Sequence, residues 1–216
     1  MLFDFFQHGF RVQLDGSSSL YVKKKLGWIF RTEKINIIAF RALELAIVQD
    51  LMNNGKKPSE INTYMQQLGR YFGDLLYIGY HARGGEVAES IMELGKIANS
   101  FYIYLFGEGL DKIYYVLVDK DNRVELHLVA NNGIPTCREI VSPHPEIKFG
   151  SFIVGAVMRM LELKRDELEY IDFSCREEKC ISVGDSYCEL MIDFTLPPST
   201  FSRIYEKYGG EYYVKR

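Results

Sequence analysis

Apolar positions along the chain follow two periods, and the change between them divides it into a helical half and a largely extended half. Ile38, Ala42, Leu45, Val48 and Met52 share one face of a predicted helix that stops at Asn53, Asn54 and Gly55. Pro58 and Ser59 open a second helix, whose apolar positions Ile61, Met65, Leu68, Phe72 and Leu75 are spaced four, three, four and three apart. A third helix, after the Arg83, Gly84, Gly85 break, carries Val87, Ile91, Leu94, Ala98, Phe101 and Leu105 with the same alternation. Such seams pack against other helices, and two of them give more apolar stripe than one sheet needs, so a homodimer joined through helices is expected. Gly69 and Gly73 in the second helix mark close helix packing.

From Asp111 the period is two. Ile113, Tyr115 and Leu117 alternate with their neighbours, and after a DKDNR turn so do Val124, Leu126 and Leu128, which is a β-hairpin. A loop holding Cys137, Pro143, His144 and Pro145 leads to a fourth helix with Ile153, Val157, Met160 and Leu163 on its apolar face. Strand-like segments follow over Tyr170 to Cys175, Lys179 to Val183 and Tyr187 to Phe194. Three parts result: a β-hairpin-like extension over 1–32, one α+β domain over 33–196, and a tail over 197–216 with a short helix from Phe201 to Tyr208.

Composition removes several classes of function. A net charge of −3 supplies no basic field for a phosphate backbone, so no nucleic-acid partner is expected. No segment approaches the roughly 20 consecutive apolar residues of a membrane span. Met1 to Asp15 contains Asp4 and lacks the basic, apolar and small-residue regions of a secretory leader, so the chain is read as cytoplasmic. Four cysteines are too few for a disulfide scaffold; in a reducing compartment they are packing residues or metal ligands.

The chemistry concentrates in residues 177–188, EEKCISVGDSYC. Cys180 and Cys188 are symmetric about Gly184, so a three-residue loop of Val183, Gly184 and Asp185 would set them opposite one another on paired strands, with Cβ atoms about 4.5–5.5 Å apart. At that distance a shared zinc, a cross-strand disulfide and two small buried hydrophobes are all open.

Glu177, Cys180, Gly184, Asp185 and Cys188, followed by Leu190 and Ile192, resemble the C-terminal signature of the 4-vinyl reductase domain family, a family of hydrocarbon-binding proteins. Leu68, Gly69 and Gly73 resemble its small-residue helix, and GSFIVGAVMRM over Gly150 to Met160 its glycine-containing helix; the resemblance covers about residues 33–196. Relatives of that family include sensor domains of phenol-responsive transcription activators and subunits of the TRAPP vesicle-tethering complex, in the NO signalling and Golgi transport ligand-binding fold. The resemblance implies helices on one side of a twisted antiparallel sheet. It also implies a structural zinc on Glu177, Cys180 and Cys188, completed by a further cysteine. The relatives' helix position has no cysteine here, since Phe149 to Gly155 contains none, which leaves Cys175, Cys137 and His144; Cys175 is favoured because it lies closest along the chain. Strict alternation would put Glu178 rather than Glu177 on the face of Cys180, so this ligand set requires a bulge near Glu178 or Lys179.

His8, His81, His127 and His144 form no ligand pair, and no nucleophile elbow, Walker loop or dinucleotide fingerprint occurs. His81 and Tyr77, at the end of the second helix, are the candidate polar handles of an apolar pocket, which 15 Tyr and 14 Phe could help line. Three functions follow in order: binding or sensing of a hydrophobic or aromatic small molecule with zinc holding the C-terminal hairpin, a homodimeric scaffold resembling TRAPP subunits, and a vinyl-group reductase. The last lacks a visible cofactor site.

Overall fold

Strict alternation of buried and half-buried side chains over Lys112–Val118 (β1) is continued by Arg123–Ala130 (β2) as far as Leu128, so Ile113, Tyr115, Leu117, Val124, Leu126 and Leu128 all face one side. The computed structural model describes residues 33–82, 88–165 and 167–215. The hairpin-like extension over 1–32, the Arg83 to Gly85 break and Val87 lie outside the described residues. Glu33–Asn53 (α1), Pro58–Ala82 (α2) and Leu94–Phe106 (α3) precede the hairpin; Ser151–Leu163 (α4), Asp172–Lys179 (β3), Cys188–Thr195 (β4), Pro198–Tyr208 (α5) and Glu211–Lys215 (β5) follow it. The strands form one antiparallel sheet in the order β3-β4-β2-β1-β5. This is the α+β fold expected, with helices layered on the sheet's apolar face.

Several elements depart from the sequence reading. In α1 the buried positions are Glu44 and Val48, while Ile38, Leu43 and Leu45 point outward, because a glutamate occupies the stripe where a hydrophobe was sought. α3 starts at Leu94 rather than near Val87: Ser90 is extended and Ile91–Glu93 forms a 3₁₀ turn. Tyr115 locks that turn, its buried hydroxyl donating to the Ile91 carbonyl (2.9 Å) and accepting from the Gly95 N–H (2.7 Å). The segment expected over Tyr170 to Cys175 runs on as one strand, β3, to Lys179, and the expected strand over Lys179 to Val183 is instead a 3₁₀ turn over Ile181–Val183. The tail's short helix is α5; beyond it β5 returns to pair with β1, Tyr114 opposite Tyr213 and Tyr115 opposite Tyr212.

The helical layer is held by backbone proximity. A Cβ on Gly69 would lie 1.9 Å from the Phe152 carbonyl oxygen, and one on Gly155 would lie 1.9 Å from that of Gln66. Only glycine lets α2 and α4 approach this closely. Arg159 to Asp74 (2.7 Å) and Arg70 to Glu162 pair across the same contact, and Phe152 packs against Phe40 and Phe72 with ring centroids 4.9 and 5.2 Å away.

Candidate metal centre and apolar cavity

β3 carries Glu177 into the interior on the face of Cys175, and the register of its pairing with β4 then slips between Glu177 and Lys179. This bulge is the one the ligand set required, and with it Cys180 also turns inward. After it, Gly184 adopts φ +105° in the turn between the strands, and Asp185 accepts a hydrogen bond from the Cys180 N–H (2.8 Å). The connection is wider than a three-residue hairpin loop, since the 3₁₀ turn intervenes, yet Lys179 still pairs with Glu189, so Cys180 and Cys188 flank the end of the ladder.

The fourth group comes from the loop between β2 and α4. Cys137 sits in a turn where its N–H donates to the Ile134 carbonyl (2.7 Å), and Arg41 of α1 braces that turn through the Pro135 carbonyl (2.7 Å). Ligand atoms of Cys137, Glu177, Cys180 and Cys188 all lie within 4.8 Å of one another, and all four residues are buried. Cys175 is outside this set. It lies two residues before Glu177 on the same face of β3, about 7 Å back along the strand, and burial pushes its thiol up to about 12. His144 is also outside, its Nδ1 accepting from the Glu146 N–H (3.2 Å). The structure therefore groups Cys137, brought in from 40 residues away, with Glu177, Cys180 and Cys188, and leaves Cys175, expected from proximity along the chain, outside that group.

All four cysteines are free thiols. Cys188 is pulled down to about 4 by hydrogen bonds from the Cys137 and Cys180 thiols and from the backbone N–H groups of Ile181 and Ile134. Cys137 is pushed well up by its bonds to the same two cysteines and by burial. Glu177 is raised by burial first and by Cys180 second, although the Gly150 N–H at the start of α4 donates to it. A Cβ on Gly150 would fall 2.1 Å from the Glu177 carboxylate, so this carboxylate position needs glycine there.

The donor set fits a zinc ion. Three thiols and a carboxylate are a complete tetrahedral shell, whose ligand atoms at metal distances of about 2.0–2.3 Å sit roughly 3.5–3.8 Å apart. Glu177 Oε2 is buried and has no hydrogen-bond partner among the described residues, which is the state of an acceptor awaiting a cation. Glu44 of α1 adds a buried carboxyl with both oxygens unpartnered, pushed up to about 9 by burial and by Glu177. Neither Glu44 nor its neutral state was legible in the sequence.

Beside this cluster lies an apolar cavity of about 150 Å³. Its floor is the sheet, with Leu126 and Leu128 of β2 and Leu190 and Ile192 of β4; its walls are α3 and α4, with Phe101, Tyr102, Val157 and Met160 among them. Tyr77, one of the two residues proposed as polar handles, lies in the lining; His81 stands in the last turn of α2, with its side chain outside the described part of the structure. Lys164, also in the lining, is neutralised by Glu167 (2.7 Å). Tyr102, which the sequence reading passed over, is buried with its hydroxyl unpartnered. Its one sequence signal is a polar-tipped ring at i+4 from Ala98 on the apolar face of α3.

No family model matches the chain, and no curated protein matches it. Among solved structures, the trafficking protein particle complex subunit 3 of Naegleria fowleri, covalently bound to palmitic acid, matches with a TM-score of 0.59 and 16% identity over 76% of this chain and 99% of that one. An H-NOX protein of S. oneidensis in its Fe(II)NO state matches with a TM-score of 0.41 and 14% identity, covering 70% of this chain and 73% of that one. The chain therefore shares the TRAPP-subunit fold.

Proposed function

We propose that this chain is a binding or sensing domain for a small hydrophobic, aromatic-sized molecule, with a zinc ion holding the β3–β4 connection to the loop that carries Cys137. The observation that carries the reading is the cavity of about 150 Å³, whose lining is apolar apart from three polar-tipped residues. Pockets of this composition take apolar ligands, and an engineered cavity of about that size admits benzene. The neighbouring fold holds palmitic acid covalently in the Naegleria protein. None of this chain's four cysteines lines the cavity, so a thioester-held chain does not suit it, and a reversibly bound molecule of one-ring size does.

Zinc in a closed Cys₃Glu shell would supply folding free energy rather than an open coordination position. The part of each residue is then fixed: Cys137 anchors the loop, Cys180 and Cys188 close the turn, and Glu177 faces the start of α4. The resemblance to the 4-vinyl reductase domain family favours this assignment through Glu177, Cys180 and Cys188. Free thiols in ligand geometry suit a reducing, cytoplasmic setting, and no helix among the described residues is long and apolar enough to cross a membrane.

A second reading, a homodimeric scaffold, is favoured by Tyr71, Leu75 and Ile78, which leave an apolar stripe on α2 exposed. A thermal-shift screen of benzene, toluene and longer hydrocarbons, run beside elemental analysis of protein purified without chelator, decides between the two. The binding reading expects one equivalent of zinc and a melting temperature raised by one-ring compounds. No shift with any compound would leave the scaffold.

A further inference from the structure

We infer that Ile134 couples the cysteine cluster to the cavity, so that the cavity's affinity for a one-ring ligand depends on the ion held by Cys137 and Cys188. This rests on the cluster being a metal centre and the cavity a ligand site, and adds how the first regulates the second.

The main chain of Ile134 belongs to the cluster and its side chain to the cavity. It is 2% exposed and lines the space together with Leu128 and Leu190. Its carbonyl accepts from the Cys137 N–H (2.7 Å), and its N–H donates to the Cys188 sulfur. The Ile181 N–H reaches the same sulfur at 3.4 Å, and a Cβ on Gly133 would lie 2.0 Å from Ile181 Cδ1. The turn after Cys180 therefore packs directly on the residue before Ile134. None of the four cluster residues lines the cavity, so an effect of the ion on a ligand passes through a shared wall rather than through contact.

Two other walls touch the cluster, but both are fixed by their own packing. β4, which carries Cys188 and Leu190, is paired on both flanks by β2 and β3. α4, whose Gly150 N–H donates to Glu177, is pressed against α2 at Gly155. Ile134 instead sits in the loop over 131–150, which has no helix or strand of its own. Away from the cluster, Arg41 holds the Pro135 carbonyl (2.7 Å) and Arg138 the Gly133 carbonyl (2.9 Å). Toward the cluster the turn meets β4 through sulfur hydrogen bonds, which are weak. Bonds from both sulfurs to one ion would replace these, and an ion of different radius would space the sulfurs, and with them Ile134 and Leu190, differently.

Zinc and cadmium test this, because both suit thiolates and cadmium is the larger. Dissociation constants for toluene are measured by calorimetry on the full chain loaded with one ion or the other. The zinc form is expected to bind at least about fivefold more tightly, the lower end of ordinary coupling between two sites. The cobalt(II)-loaded chain gives a second readout: its visible bands report the geometry around the cobalt, and saturating toluene should shift them without touching the ion. Ile134→Ala keeps both main-chain bonds, so it should still take up one equivalent of metal. Its toluene constants in the two metal forms should agree within about twofold, and its cobalt bands should stay in place. Equal constants in the zinc and cadmium forms of the wild type, or bands that toluene does not move, overturn the coupling and leave both sites standing. A band shift undiminished in Ile134→Ala overturns the role of Ile134. Failure of the zinc-loaded wild type to bind toluene overturns the ligand site, and failure to take up one equivalent of metal overturns the metal centre; either takes this inference with it.

Discussion

Replacing Cys137 and Cys175 one at a time by serine separates the metal site the fold builds from the one that proximity along the chain suggests. Cys137 is one of four mutually close ligand atoms, while Cys175 is a lone buried thiol. Zinc at about 1,000 times its dissociation constant stabilises the folded state by about 4 kcal/mol. In a chain of this size each kcal/mol moves the melting point by about 2–4 °C, so stripping the wild type should lower Tm by roughly 8–16 °C. Cys137→Ser should carry no stoichiometric zinc and show no such dependence on chelator. Cys175→Ser should keep both, its own cost being a buried hydroxyl of about 1–3 kcal/mol that lowers the loaded and stripped curves alike. Calorimetric melts with and without chelator, paired with elemental analysis, make the comparison. Zinc retained by Cys137→Ser and lost by Cys175→Ser would refute the assignment.

Other consequences are as open to measurement. Because burial and its bonds to Cys180 and Cys188 hold the Cys137 thiol well above its ordinary range, zinc binding should release at least one proton near pH 7, and apparent affinity should fall at least about tenfold per unit of acidification. Titration calorimetry in buffers of different ionisation enthalpy counts those protons, and fewer than one would contradict this. Gly155→Ala, whose Cβ would meet the Gln66 carbonyl at 1.9 Å, should cost about 3 kcal/mol or more in denaturant unfolding, whereas Gly210→Ala, with open space around it, should cost under about 1 kcal/mol. If the exposed stripe joins two copies, Leu75→Glu with Ile78→Glu should convert a dimer to a monomer without lowering stability at low concentration; a wild type of single-chain mass at every concentration in light scattering ends that reading.

Local signals carried the element boundaries well. The stop at Asn53 to Gly55, the start at Pro58 and the hairpin across DKDNR each depend on a few adjacent residues, and the structure follows them. The bulge in β3 was legible because the family resemblance pairs Glu177 with Cys180 whereas strand alternation would present Glu178, and a register slip reconciles the two. What escaped depends on tertiary partners. Glu44 lies on the core face of α1 near Glu177, Cys180 and Arg41, and a pattern that looks for hydrophobes there turns the helix the wrong way. Cys137 reaches its partners through an irregular loop that has no period to read. β5 is a short edge strand whose Tyr212 and Tyr213 gain their places only by pairing with β1.

That irregular loop, residues 131–150, gives a metal something to hold where the cysteines meet. A stretch this long without a helix or strand gains little from backbone pairing and must be pinned by side chains. Arg41 holds it at Pro135, Asn62 at the Glu146 carbonyl (2.7 Å), and Lys148 ties it to the Glu177 carbonyl (2.7 Å). Between these pins, Ile134 lines the cavity while its carbonyl receives the Cys137 N–H and its own N–H reaches Cys188. On the facing strand, Cys188, Leu190 and Ile192 alternate onto one side of β4, one at the cluster and two at the cavity. The same turn and the same strand therefore bound both spaces. Whatever fixes Cys137 to Cys188 also fixes the distance between Ile134 and Leu190, so an ion in the cluster would set the width of the cavity without contacting anything inside it.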